Sequence, residues 1–387
     1  MFSRRLPPPG ERNRLTVRLE ELRSAGVSVL NLTESNPTAA GIPYPADLLT
    51  PLADPAALTY DPHPFGLVAA RAAVAADFAR RSAQVDPAHV VLTASSSEAY
   101  TWLFKLLCNP GECVLVPRPS YPLFEHLTQL EGVRIEPYDL EYHGRWQVDF
   151  SSLENAPADT RALLVVTPNN PTGSYITREE RDRLSTLCAA RSWALVADEV
   201  FADYRLDADD PLTDLAASAS DCLTFSLGGF SKSLGLPQLK LGWMVAGGPA
   251  DLRDAALARI ELIADSFLSV GTPVQVATAS LLTRGAGIRT AIHARVTGNL
   301  ALLRRVARDF PACEVLRVEG GWSAVVRVPA TRSEEQVVLD LLEQERILVH
   351  PGYFFDFHHE AYIVVSLLTA PDVFADAVPR LLRAASF

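Results

Sequence analysis

Short apolar runs separated by helical stretches dominate the chain between residues 89 and 247. The runs cover 89–93 (HVVLT), 113–117 (CVLVP), 162–167 (ALLVVT), 194–199 (ALVADE), 222–227 (CLTFSL) and 241–247 (LGWMVAG). Continuous apolar runs of this length, spaced by helices, are typical of buried parallel strands in an α/β sheet. We therefore predict a large α/β domain over residues 45–280, with a mostly parallel sheet flanked by helices.

The two ends of the chain follow a different pattern. Residues 14–25 carry leucines at helical spacing, and the segment NLTESNPTAAGIPYP that follows at 31–45 is rich in turn residues. Near the C-terminus, EGGWSAVVRVP (319–329) and AYIVVSLL (361–368) alternate as strands do, among helical stretches. We predict that residues 1–44 and 281–387 form a second, smaller α/β domain.

Charge and composition exclude several classes of partner. The net charge is −11 and the sequence pI is about 5.3, which argues against nucleic acid or an anionic membrane as a partner. The five cysteines are scattered, and the eight histidines show no metal-ligand spacing. Because the N-terminus lacks an apolar signal region and no apolar run approaches 18 residues, we expect a soluble, cytoplasmic protein without a metal site.

Two lysines lie in the segment SLGGFSKSLGLPQLKLGW at 226–243. Lys232 is in a short turn rich in Gly and Ser, and Lys240 interrupts a run that is otherwise apolar. Burying an ammonium is costly unless an anion pairs with it. The pair indicates an amine that forms a Schiff base and a cation that holds a phosphate, the two groups that bind pyridoxal phosphate. The alternative is two solvated lysines around a surface loop.

Polar residues follow the other predicted strands, where ligands bind in α/β sheets. Ser95 and Ser96 open a helix whose free N–H groups suit a phosphate, although a serine there also serves as an ordinary N-cap. Tyr121 can stack on a flat cofactor or belong to the core. Asn170, in the turn PNNPTG, can direct its amide at a ligand oxygen.

The run ALVADE ends in a carboxylate with apolar neighbours, Asp198. A buried carboxylate needs a partner, and a protonated ring nitrogen is a suitable one. The alternative role for Asp198 is to cap the following helix. We expect the adjacent Glu199 to face solvent.

The order of these motifs, with TPNNPTG, ADEV and SKSLGLPQLKLGW as the most specific parts, resembles the fold-type I pyridoxal-phosphate enzymes of the class I/II aminotransferase family over about residues 28–370. The resemblance implies that Lys232 forms a Schiff base with the cofactor and moves the substrate proton, and that Asp198 pairs with the pyridinium nitrogen. It also implies that the remaining cofactor groups are bound by Asn170 (phenolic oxygen), Tyr121 (ring face), and Ser95, Ser96 and Lys240 (phosphate).

The resemblance implies partners as well. Tyr60 matches a tyrosine that reaches the phosphate in the neighbouring subunit, so a homodimer with shared active sites is expected. Small-molecule amino acids and 2-oxo acids are the implied substrates, and we assign Asn170, Ser35 and Arg327 to their binding.

Four positions depart from the family pattern. Lys240 and Val364 replace two arginines, one for the phosphate and one for the substrate α-carboxylate. Gly229 replaces a phosphate-binding serine, and Phe201 replaces a tyrosine that donates to the phenolic oxygen. Arg327 is the candidate for the missing carboxylate cation, the alternative being that it faces solvent.

The segment SFLSVGTP at 266–273 has no arginine for a side-chain carboxylate, so aspartate and glutamate are not the favoured substrates. We expect His350, beside a Pro-Gly turn, to be structural, and His358 and His359 to be exposed.

Three functions remain open from the sequence. The first is an aminotransferase acting on a small or apolar amino acid. The second is a lyase or cyclase with the same cofactor, acting on a modified amino acid. The third is a regulatory or scaffold protein that binds the cofactor without turnover, which the presence of Lys232, Asp198 and Asn170 disfavours.

Overall fold

The computed structural model describes residues 2–3, 5–6, 12–206, 215, 217–218 and 220–387. The α-helices of this part of the chain are α1 Arg14–Ser24, α2 Val68–Phe78, α3 Ser96–Leu107, α4 Leu123–Glu131, α5 Arg178–Arg191, α6 Phe230–Ser233, α7 Ala250–Phe267, α8 Thr272–Arg284, α9 Ala286–Ala307, α10 Glu334–Gln344 and α11 Pro371–Ala385. The strands are β1 Leu30–Asn31, β2 Val90–Thr93, β3 Cys113–Arg118, β4 Arg134–Tyr142, β5 Trp146–Val148, β6 Thr160–Val166, β7 Ala194–Asp198, β8 Thr224–Gly229, β9 Gly242–Gly247, β10 Glu314–Val315, β11 Ser323–Arg327, β12 Ile347–Leu348, β13 His350–Pro351 and β14 Tyr362–Ser366.

The largest sheet has eight strands in the order β2-β9-β8-β7-β6-β3-β4-β5. The neighbours β8, β7, β6, β3 and β4 are parallel to one another, whereas β9 is antiparallel to both β2 and β8. Every residue of β2, β8 and β9 is buried, because helices cover both faces of the sheet. The predicted α/β fold with a mostly parallel sheet is therefore confirmed.

A four-stranded sheet, β10-β11-β14-β13, lies in the C-terminal part of the chain and is antiparallel. The N-terminal segment joins this part, because β1 pairs with β12 in a parallel two-stranded sheet. The boundaries at residues 44 and 280 stay a prediction.

Local signals in the sequence explain where the helices begin. Thr177 and Glu180 form a reciprocal capping box at the start of α5. Ser95 caps α3, with its side chain accepting from the Glu98 N–H. No helix among the described residues is both long enough and apolar enough to cross a membrane.

Candidate active site

Polar side chains collect where β3, β6, β7 and β8 end. Ser120 and Tyr121 follow β3, Asn170 follows β6, Asp198 ends β7, and Lys232 lies just after β8. Because these four strands are parallel, their carboxyl ends meet at one edge of the sheet.

The turn that carries Lys232 is fixed by bonds to its backbone. The buried hydroxyl of Tyr204 donates to the carbonyl of Lys232 at 2.7 Å. Arg289 donates to the carbonyl of Ser233 at 3.2 Å and to its hydroxyl at 3.1 Å. These contacts hold the backbone on both sides of the lysine, so its side chain leaves the turn from a defined position.

The amine of Lys232 lies among aromatic rings. Its Nζ is 5.4 Å from the ring centroid of Phe201 and 5.1 Å from that of Trp322. Within the described part of the chain, Nζ has no hydrogen-bond partner, and burial lowers the pKa of the amine while the charge of Asp198 raises it. A lysine whose pKa is lowered by its surroundings loses its proton more readily than a solvated one, which suits Schiff-base chemistry.

Asp198 has one protein donor for each carboxylate oxygen. Oδ1 accepts from the backbone N–H of Val200, and Oδ2 accepts from the hydroxyl of Tyr100, both at 3.1 Å. Burial raises the pKa of Asp198 to about 6, while these two bonds and the charge of Lys232 lower it. A half-buried carboxylate with free lone pairs fits a positively charged ring nitrogen.

The prediction that Glu199 faces solvent is wrong. Glu199 is only 6% exposed, and its Oε1 accepts from the N–H of Leu215 at 2.8 Å. The N–H of Leu215 satisfies Oε1 of Glu199 inside the protein, so Glu199 is buried while the neighbouring Asp198 is half-buried, because successive residues of extended chain point to opposite faces.

The turn after β6 joins three parts of the site. The hydroxyl of Ser323, at the start of β11, donates to Oδ1 of Asn170 at 3.1 Å. Asn169 is buried, donates to the carbonyl of Pro119 at 2.8 Å and accepts from Ser120 at 3.2 Å. Oδ1 of Asn170 therefore has a protein partner, and its amide nitrogen remains to donate to a ligand.

The helix start at Ser95 packs against Gly242, which begins β9 and is itself close to Gly229 at the end of β8. A Cβ atom on Gly242 would lie 3.0 Å from the carbonyl carbon of Ser95, and one on Gly229 would lie 3.1 Å from the Cα of Gly242. This close approach explains why glycine stands at 229 where a serine was expected. Ser96 is half-buried at the same helix start.

Three predicted cofactor residues are more exposed than the others. Lys240 is exposed and has a left-handed backbone (φ 50°) two residues before Gly242. Tyr121 is 51% exposed, and Tyr60 is 72% exposed in a loop that borders the same pocket as Leu268. Lys240 is therefore not a buried lysine, and its side chain can reach an anion only from the surface.

Ser35 and Arg327, the predicted substrate-binding residues that do not follow a strand of the large sheet, lie in different places. Ser35 is exposed beside Glu34, whose carbonyl accepts from the hydroxyl of Ser366 at 2.5 Å. Since Ser366 is opposite Ser323 in the sheet, Ser35 lies close to the Asn170 turn. Arg327 does not: it is half-exposed, pairs with Glu314, and lies four residues along β11 from Ser323, about 13 Å away.

Two side chains of this site were missed by sequence reasoning. Tyr100 lies one helical turn after Ser96 on α3, so it extends toward the same strand ends. It was missed because an aromatic residue on the apolar face of a helix is usually assigned to the hydrophobic core. Trp322 follows Gly320 and Gly321 and packs edge-on against Phe201 and Tyr204. Within the described residues no cluster of His, Cys, Asp or Glu could hold a metal ion.

Comparison with known proteins agrees with this chemistry. The family profile "Aminotransferase class I and II" matches residues 42–373. The alanine aminotransferase of Mycobacterium tuberculosis H37Rv is 29% identical over 373 residues, which cover 93% of this chain and 86% of the relative. The glutamate-pyruvate aminotransferase AlaA of Haemophilus influenzae is 27% identical over 379 residues, covering 95% and 92%.

The fold has close counterparts among solved structures. The alanine aminotransferase from Pyrococcus furiosus superposes with a TM-score of 0.86 at 21% identity, covering 95% of each chain. Proteins of the matched family use pyridoxal phosphate, and the half-buried amine of Lys232, which interacts electrostatically with the carboxylate of Asp198, fits that cofactor. The chain belongs to the class I and II aminotransferase family and is a pyridoxal-phosphate-dependent aminotransferase.

Proposed function

We propose that the enzyme transfers an amino group from a small or apolar amino acid to a 2-oxo acid, with Lys232 and Asp198 as its catalytic residues. The observation that carries this proposal is the half-buried amine of Lys232, which lies beside the packed rings of Phe201 and Trp322 and is influenced by the charge of Asp198. Relatives that are 27–29% identical are named alanine or glutamate-pyruvate aminotransferases, and alanine and pyruvate in these names support one small, apolar substrate pair.

Each residue has a task that its surroundings suit. When bound, pyridoxal phosphate supplies an aldehyde that condenses with amines and a ring that accepts electrons. Lys232 would hold the aldehyde carbon until the substrate amine displaces it, and its released, neutral amine would then move the proton at the substrate Cα. Asp198 would hold a proton on the ring nitrogen, and the free amide nitrogen of Asn170 would donate to the phenolic oxygen and orient the substrate.

Residues at the edges of the site are the candidates for binding the phosphate and the ring face of pyridoxal phosphate. We propose that the helix start at Ser95 and Ser96 binds the phosphate through its N–H groups and hydroxyls, with Lys240 as a surface cation. Tyr121 covers the ring face from the turn after β3. Ser35 approaches the substrate through its position beside the Ser366–Ser323 pair.

The walls of the site favour a substrate with an apolar side chain. Phe201 and Trp322 are both buried and offer ring faces beside Lys232. The segment 266–273 carries no arginine that could pair with a second carboxylate. Desolvating a charged side chain against these rings would be unfavourable.

The amino-acid preference can be read from the absorbance of the bound cofactor. We expect L-alanine and other small apolar amino acids, given alone, to convert the cofactor to its amine form, with L-aspartate at least about tenfold slower, because an unpaired buried charge costs more than about 1.4 kcal/mol. Pyruvate added afterwards should restore the starting spectrum.

A lyase or cyclase would release product and leave the aldehyde form in place. Holoenzyme that releases pyruvate or ammonia from an amino acid without a change in absorbance would therefore contradict transamination. Faster conversion by L-aspartate than by L-alanine would contradict the small, apolar substrate.

We also propose that the enzyme is a cytoplasmic homodimer in which Tyr60 reaches the neighbouring subunit's phosphate site. Exposed apolar residues near this loop support a covered surface, since Leu58 and Leu268 are 90% and 69% exposed. Sedimentation equilibrium should give twice the chain mass of 42.1 kDa, and a monomer at micromolar concentration would contradict the shared site. The bacterial relatives support the location, which cell fractionation checks.

A further inference from the structure

His350 lies directly beside the position where the family's carboxylate-binding arginine is absent. In the four-stranded sheet, His350 of β13 is paired with Val364 of β14, which is paired in turn with Val325 of β11. Residues directly opposite each other in an antiparallel sheet have their side chains on the same face, about 5 Å apart. The imidazole and the Val364 side chain therefore share one face.

That face borders the active site. Side chains two residues apart on a strand point the same way, so Ser323 shares the face of Val325 and Val364. Ser323 donates to Asn170, the turn residue that is proposed to touch both cofactor and substrate. On this face, His350, Val364 and Val325 form one row of side chains. The adjacent row contains Ser323, which contacts Asn170.

The imidazole also adjoins the turn after β3. Its ring centroid is 5.8 Å from that of Phe354 and 5.7 Å from that of Phe355. The carbonyl of Phe355 accepts from the N–H of Ser120 at 3.0 Å, next to Tyr121. His350 therefore packs against a segment that is hydrogen-bonded to the turn bearing Tyr121.

Neither ring nitrogen of His350 has a hydrogen-bond partner within the described residues. Burial lowers the pKa of His350 to about 4, so the ring is neutral at neutral pH and offers one N–H donor. His350 is half-buried in a wall formed by valine and phenylalanine side chains, and its ring nitrogens are open to a ligand there. A structural role in packing alone would not need the nitrogen atoms.

We propose that His350 binds the α-carboxylate of the amino-acid substrate, in the place left open by Val364. The inference rests on the proposed amino-acid substrate and adds the group that recognises its acid end. A carboxylate accepts hydrogen bonds only, so it matches the imidazole N–H together with the amide nitrogen of Asn170. No arginine is then needed opposite the aromatic walls.

The test compares two substrates that differ only in the carboxylate. L-Alanine and L-alaninamide are each given to the holoenzyme, and the single-turnover rate of the cofactor absorbance change is measured against substrate concentration. His350→Phe keeps an aromatic ring against Phe354 and Phe355 but removes the donor. We expect the apparent second-order rate constant of this single turnover to fall about 10- to 100-fold for alanine, as for a lost bond to a charged group, and to stay within about twofold for alaninamide.

Two further variants control for packing. His350→Gln keeps an N–H donor at a similar reach and should retain most of the preference for alanine. His359→Ala, an exposed histidine nine residues on, should change neither substrate. The Gln variant is smaller than Phe, so it also tests the assignment should the Phe variant fold poorly.

The outcomes separate the two proposals. Equal losses for alanine and alaninamide in the His350 variants would show a structural role and overturn the assignment, while the proposed aminotransferase function would stand. If wild-type holoenzyme fails to convert with any amino acid, the proposed substrate class falls and the assignment falls with it. A loss confined to alanine supports both.

Discussion

Lys232→Ala should reduce transamination by at least about 10³-fold, because no other amine at the site can bind the cofactor aldehyde or move the substrate proton. The chain has three lysines in all, Lys105, Lys232 and Lys240. Borohydride reduction of the holoenzyme should therefore fix the cofactor on a single peptide, the one that contains Lys232. Peptide mass mapping after proteolysis reads this directly, and the Ala variant should carry no label.

The other two lysines serve as matched controls for the labelling. Lys105 is paired with Glu131 on the surface, and Lys240 is exposed. Lys240→Ala should weaken cofactor binding through the lost phosphate contact but leave the label on Lys232. A label on Lys105 or Lys240 in the wild-type protein would refute the assignment of the whole site.

Asp198→Ala is the second change with a large expected effect. Removing one partner of a buried ion pair costs about 3–5 kcal/mol, which corresponds to a turnover lower by about 10²- to 10⁴-fold. The fold should survive, because burial already destabilises this carboxylate in the cofactor-free protein, as its raised pKa of about 6 shows. Steady-state kinetics with cofactor in excess and thermal unfolding measure the two effects separately.

Tyr100→Phe provides the graded comparison for Asp198. It removes only the hydroxyl that donates to Oδ2 and keeps the ring that packs on Phe104 and Phe124. Losing one hydrogen bond to a charged group should cost about 10-fold in turnover, less than the loss of the carboxylate itself. Near-normal turnover in Asp198→Ala would show that this carboxylate does not hold the ring nitrogen.

Six strands of the large sheet, β2, β3, β6, β7, β8 and β9, were predictable because they are largely buried on both faces. The runs at 89–93, 113–117 and 194–199 match β2, β3 and β7 within one residue at either end. Their direction was not predictable, since an apolar run looks alike in either orientation, and β9 is antiparallel to its neighbours. β4 was missed because it is at the side of the sheet, where exposed and buried residues mix along RIEPYDLEY.

The site residues that lie at the ends of predicted strands were predictable from the sequence. Lys232, Asp198 and Asn170 each follow an apolar run, so the sheet brings them together. Contacts between distant segments left no local signal: Tyr100 and Asp198 are 98 residues apart, and Ser323 and Asn170 are 153 apart. The same reason explains the misplacement of Arg327, whose pairing with Glu314 depends on the register of β10 against β11.

The short sheet of β1 and β12 sets a condition on synthesis of the chain. Leu30 pairs with Ile347, 317 residues later, so the N-terminal segment leaves the ribosome long before its partner exists. At about 5–20 residues per second this delay is roughly 15 to 60 s. The backbone around Leu30 and the neighbouring Ser35 must wait in solution during that time, and the substrate side of the site is completed only after the last hundred residues have been translated.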